Sequence, residues 1–208
     1  MINGNTNGIK DYILKELETT CEEKIERGKF LKKEIVEKIS EISIKINKEI
    51  SIAIDRNGKT VDINIGDNAS ATLPKVEIKE KRLSGLRIIH THPNGNSKLS
   101  DVDISALIEL QLDAMIAVGV NTEGKITGVG IAFCKVENNV IGYEEYRANN
   151  LESVEDYSYL DKVAEIEKDL RMREIQDENK DFAVLVGRES MASLEELKEL
   201  ADACEIET

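Results

Sequence analysis

Apolar positions recur at helical spacing from the start of the chain: Ile9, Ile13, Leu14, Leu17 and Cys21 predict an amphipathic helix over residues 8–23. Leu31, Ile35, Ile39, Ile42 and Ile46 form one apolar stripe among Lys and Glu, which predicts a second helix ending near Asn47. From Glu49 the period becomes two. Ile50, Ile52 and Ile54 alternate with Ser51 and Ala53, the turn Asp55-Arg56-Asn57-Gly58 follows, and Val61, Ile63 and Ile65 alternate again, which predicts a β-hairpin. Residues 66–73 are small and polar, and Pro74 introduces an edge strand at 75–78. Leu86 to His92 reads as a strand that ends at Pro93-Asn94-Gly95, because proline donates nothing to a ladder and Asn-Gly favours a turn. Ser100 reads as the N-cap of a helix whose apolar face is Ile104, Leu107, Ile108 and Leu112. Strands follow at 114–120, 125–133 and 140–146, separated by turns at 121–124 and at Asn138-Asn139.

This order predicts an α/β (α+β) domain over residues 1–148, a mixed β-sheet with flanking helices, in which 8–47 is helical and 49–148 carries the sheet. Residues 149–180 are charged, with Leu160, Val163, Ile166 and Leu170 on one side, and read as a helical linker. Phe182 to Gly187 is strand-like and Ser193 caps a Leu/Glu-rich helix, so 181–208 reads as an incomplete βα unit. Such a unit has no sheet in which to bury itself, which implies a fragment of a longer protein.

Charge removes several classes of function. The 208 residues carry a formal net charge of −13, which repels phosphate backbones and argues against direct nucleic-acid binding. No apolar run is long enough to span a bilayer, and the polar start lacks a secretory signal, so the expected location is cytoplasmic, with no membrane partner. Cys21, Cys134 and Cys204 are widely spaced and form no CxxC pair, and so read as free thiols. Neither GxxxxGK(S/T) nor GxGxxG occurs, so no GTP-binding residue is assigned within the chain. Gly128-Val129-Gly130, inside a strand pattern, reads as a bulge or a close-packing site.

The two histidines of the chain are His90 and His92. Alternate residues of a strand share a face, so the two imidazoles stand side by side while Thr91 points away. They are either a pair of satisfied strand histidines or half of a metal site. Hydrolytic zinc takes three protein ligands and leaves a position for water, and Asp103, in the first turn of the next helix, supplies the third. Ser100, one turn earlier, is a candidate oxyanion donor. Ser-x-x-Asp reads equally well as a capping box.

His-x-His, seven residues, then Ser-x-x-Asp resembles the JAMM (MPN+/JAB) metalloprotease signature, matched by His90, His92, Ser100 and Asp103. RadC-type proteins share the fold and a similar His-x-His-Pro arrangement. The resemblance covers roughly residues 31–146 and implies a JAB/MPN-like fold, a zinc cofactor and hydrolysis of a peptide or isopeptide bond. It also implies an upstream catalytic glutamate at the start of a strand, where Glu49 stands; Glu77 and Glu80 lie in the irregular segment before the histidine strand. Without the family, Glu49 reads as readily as a solvated helix-end charge. Residues 181–208 resemble the start of the N-terminal domain of HflX-type GTPases, a family associated with the large ribosomal subunit. That resemblance implies a GTPase domain downstream. The alternative function is then a non-catalytic regulatory or interaction module of such a protein.

Overall fold

The computed structural model describes residues 2–66, 85–137, 140–155 and 157–177. The sequence pattern maps onto helices α1 (Asp11–Glu22) and α2 (Lys33–Ile46), the hairpin β2 (Ile50–Asp55) and β3 (Thr60–Ile65), and strand β4 (Leu86–His92). These are followed by α3 (Asp101–Glu109), β5 (Ala114–Val120), β6 (Ile126–Glu137), β7 (Val140–Ala148), α4 (Glu152–Glu155) and α5 (Tyr159–Asp177). A short strand precedes them all: β1 (Ile2–Gly4) pairs in parallel with β3, within a segment whose polar composition reads as loop. Three residues show no alternation, so only the edge of β3 reveals this strand. The edge strand expected at 75–78, the turn at 138–139 and the βα unit at 181–208 lie outside the described residues.

The seven strands form one mixed sheet in the order β1-β3-β2-β4-β5-β6-β7. Antiparallel pairing joins β2 to both β3 and β4, whereas β4 and β5 run parallel, with α3 as the crossover. The sheet is mixed α/β as its element order implies. Both faces are covered. On one, α2 lies against Thr91, whose hydroxyl donates to Ser43 Oγ at 2.8 Å and accepts from Ile50 N–H at 3.0 Å. On the other lies α3, where Cys134 Sγ–H donates to Leu107 O at 3.3 Å. Ile35, Val36, Ile39 and Ile42 of α2 and Ile52, Ile54 and Ile89 of the strands are all buried, which is what their helical and alternating spacings require. Helix α2 stops at Asn47, whose left-handed backbone (φ 51°) lets Asn47 and Lys48 donate to Ile44 O and Ser43 O.

The stretch read as a linker helix packs onto this core through its described part. Tyr159, Val163 and Ile166 of α5 are buried, while Leu160 faces solvent. Its polar anchors explain the docking. Arg56 grips Asp113 in a bidentate pair at 2.6 and 2.8 Å and reaches Glu167 at 2.7 Å, and the Tyr159 hydroxyl donates to Asp113 at 2.5 Å. The Arg87 guanidinium lies 4.3 Å from the Tyr159 ring centroid and donates to the carbonyls of Lys29, Phe30 and Asp55. Cys21 and Cys134 are buried free thiols, each with its pKa pushed up to about 12 by burial, and so are chemically quiet. No helix of the described residues is long and apolar enough to cross a membrane.

Candidate metal centre

Strand β4 delivers His90 and His92 to the face opposite Thr91, with ring centroids 4.7 Å apart. The α3 N-terminus supplies the third group. Ser100 Oγ accepts from Asp103 N–H at 3.2 Å, and Asp103 Oδ2 accepts from Ser100 N–H at 2.8 Å, a reciprocal capping box. The Ser100 hydroxyl also donates to Oδ2, at 2.7 Å. Oδ2 is therefore held from two sides, and Oδ1 faces His90 Nε2 at 3.5 Å. The capping and ligand readings of Ser-x-x-Asp are thus compatible, because each uses a different carboxylate oxygen.

The path from His92 to Ser100 depends on a floor of small residues. Register places Gly119 beside His92 on β5 and Gly128 beside Gly119 on β6, and Ala117 and Gly130 follow His90 in the same way. The chain after His92 lies flat on these positions. A Cβ at Gly130 would fall 2.2 Å from Ser97 O, one at Gly119 2.7 Å from Gly95 O, and one at Gly128 2.9 Å from Ser97 Oγ. The glycines thus form a close-packing site, and the β5–β6 register also shifts between Gly119 and Val120, whose partners are Gly128 and Ile126, so both readings of Gly128-Val129-Gly130 have a counterpart. Gly95 takes the positive φ (78°) that the turn after Pro93 needs, and Thr127 Oγ donates to its carbonyl at 2.7 Å.

This loop also orients His92. His92 Nδ1 lies 2.7 Å from Asn96 O. A carbonyl only accepts, so Nδ1 carries the proton and the Nε2 lone pair is left for a metal. Sequence reading missed Asn96 because its contribution is a backbone carbonyl, which no side-chain motif signals. His90 is 1% exposed, and neither of its ring nitrogens has a hydrogen-bond partner. A buried imidazole in that condition is costly unless something else occupies its lone pair.

Ligand atoms of His90, His92 and Asp103 lie within 4.8 Å of one another, and no other group of three or more such residues occurs among those described. Two ligands of a tetrahedral zinc with bonds of about 2.0–2.1 Å are about 3.3–3.4 Å apart, close to the His90 to Asp103 separation. Burial and the nearby His90 lower the His92 pKa, which favours the neutral, ligating form. Burial alone would raise the Asp103 carboxyl, but His90 and the Ser100 hydrogen bonds outweigh it and hold the group well below the usual carboxylate range. The donor set of two imidazoles and one carboxylate is of the kind that can hold a metal ion such as zinc.

Glu49 is 6% exposed and precedes β2. Ser51 pairs with His90 at the end of the β2–β4 ladder, and Glu49 stands two residues before Ser51, at the entrance of the strand. It lies outside the three-residue ligand cluster. In the sequence 41 positions separate Glu49 from His90, and in the structure it stands two residues before the one that pairs with His90. No family model, curated protein or solved structure matches this chain.

Proposed function

We propose that this chain is a zinc-dependent hydrolase of the JAMM type, acting on a peptide or isopeptide bond in the cytoplasm. The observation that carries the reading is the buried His90 imidazole, unpartnered at both nitrogens and aimed at a carboxylate oxygen 3.5 Å away. His90, His92 and Asp103 would hold the metal, which supplies Lewis acidity that lowers the pKa of water and polarises a carbonyl. Glu49, buried at the entrance of β2, accepts the proton of the attacking water and returns it to the leaving amine. Asn96 O keeps His92 in the ligating tautomer.

Ser100 has two tasks in this scheme. Its backbone N–H holds Asp103 Oδ2, and its hydroxyl, directed at the same oxygen, turns to the developing oxyanion. The free thiols Cys21 and Cys134 agree with a reducing compartment.

Elemental analysis of the purified chain tests the reading: about one zinc per chain is expected, and none in His92→Ala. Protein that stays metal-free after refolding with zinc overturns it. Glu49→Gln separates base from ligand: turnover falls about 100-fold or more while zinc content is kept. If zinc is lost with Glu49→Gln, the residue is a ligand and the base assignment fails.

A further inference from the structure

The sheet face that bears the histidines is polar well beyond them. Asn3 on β1 pairs with Asn64 on β3, Asn64 with Ser51 on β2, and Ser51 with His90 on β4. Residues paired across a sheet share a face, so three polar side chains stand in line with the first histidine at strand spacings of about 4.8 Å. Asp62, two residues before Asn64, shares that face, and Asn3 Nδ2 donates to its Oδ1 at 2.7 Å. Ser51, Asp62 and Asn64 are all more than nine-tenths buried. Buried strand positions are ordinarily apolar, as Ala53 is between Asp62 and Ile88 in the neighbouring row.

Asp62 is the member whose chemistry is incomplete. Its Oδ2 is buried and has no hydrogen-bond partner, and no lysine or arginine among the described residues pairs with it. A buried carboxylate is costly unless a cation and donors complete its shell. The net charge of −13 also draws cationic ligands to the molecule.

We propose that Asp62, with Asn3 and Asn64 beside it, is a subsite for a positively charged side chain, lysyl or arginyl, of a peptide whose reacting carbonyl sits at the metal centre. This rests on the hydrolase reading. Two strand spacings across and two residues along put Asp62 about 12 Å from His90, a span that one extended residue plus a long basic side chain covers. The basic group would satisfy Oδ2, while the Asn3 amide keeps Oδ1.

The test uses the whole zinc-loaded chain and quenched fluorescent pentapeptides that carry a single lysine, norleucine or glutamate at each position in turn. The expected result is a kcat/KM for the best lysine peptide about 30-fold or more above its norleucine counterpart, as for a desolvated charge pair, with glutamate lower still. Asp62→Asn brings the lysine to norleucine ratio close to one while the chain keeps its zinc. Equal cleavage of lysine and norleucine peptides by the wild type overturns the subsite and leaves the hydrolase reading standing, whether or not the variant folds. A lysine preference that survives in Asp62→Asn overturns the assignment to Asp62. Fluorescence anisotropy of the same peptides on zinc-loaded Glu49→Gln reads binding apart from turnover. Lysine-selective binding with no cleavage by the wild type sinks the hydrolase reading and keeps the subsite; neither cleavage nor selective binding sinks both.

Discussion

Gly130→Ala tests the central geometric claim, that the loop joining the ligands is seated on a glycine floor. The added Cβ would sit 2.2 Å from Ser97 O. Carbon-to-oxygen contacts rarely close below about 3.3 Å, so Ser97 must retreat by about 1 Å. Ser97 belongs to the segment that joins β4 to α3, with His92 and Asn96 on one side and Ser100 and Asp103 on the other. Overpacking of this kind destabilises by about 1–3 kcal/mol, and the smaller unfolded-state entropy of alanine returns about 0.4–1 kcal/mol, so a net loss of about 1–2 kcal/mol is expected. The shift also moves the Asn96 carbonyl away from His92 and the capping box away from His90. A displaced supporting shell lowers metal affinity about 10–100-fold.

Urea denaturation in chelator measures the first quantity, and competition with a chromogenic zinc chelator measures the second. Gly142→Ala on β7 is the control, since a Cβ there meets nothing within 4 Å. A Gly130→Ala protein with wild-type zinc affinity, or with stability equal to that of the control, would refute the proposition that this floor positions the site.

Ser100→Ala removes the N-cap and one of the two donors to Asp103 Oδ2; stability falls by about 1 kcal/mol and zinc affinity by about tenfold, and an unchanged affinity would show that Ser100 N–H alone orients the carboxylate. Tyr159→Phe strips the 2.5 Å bond to buried Asp113 on the other face of the sheet, at a cost of about 1.5–3 kcal/mol in urea melts with zinc content unchanged. A loss below about 0.5 kcal/mol would mean that Arg56 alone fixes Asp113 and α5. Zinc affinity has a defined pH response. Lowering the His92 pKa keeps the imidazole neutral at pH 7, and Asp103 is held too acidic to compete, so affinity stays level from pH 8 to 7 and falls only below about pH 6.5. The same sign applies to the metal-free fold: the unfolded chain takes up the His92 proton more readily, so stability declines as pH drops through about 6.5. A chelator competition that already slopes between pH 8 and 7 would contradict a lowered His92 pKa.

What the chain determined by itself is local. The 3.6-residue stripe of α2, the period-two hairpin, the strand ending at Pro93-Asn94-Gly95 and the cap at Ser100 were all legible, because each depends on side-chain spacing along one element or on the chemistry of one turn. Spacing likewise assigns His90 and His92 to one face and Thr91 to the other. The tertiary structure decided which elements become neighbours. It paired β1 with β3 and Ser51 with His90, laid residues 95–99 over Gly119, Gly128 and Gly130, and docked α5 through Asp113. Periodicity tells which face a residue takes and says nothing of the strand beside it. Register, close backbone approach and a carbonyl such as that of Asn96 arise only when distant segments pack. For that reason the three candidate ligands could be named from the motif, while the parts that hold them in place, and the buried Asp62 farther along the same sheet face, became visible only in the folded sheet.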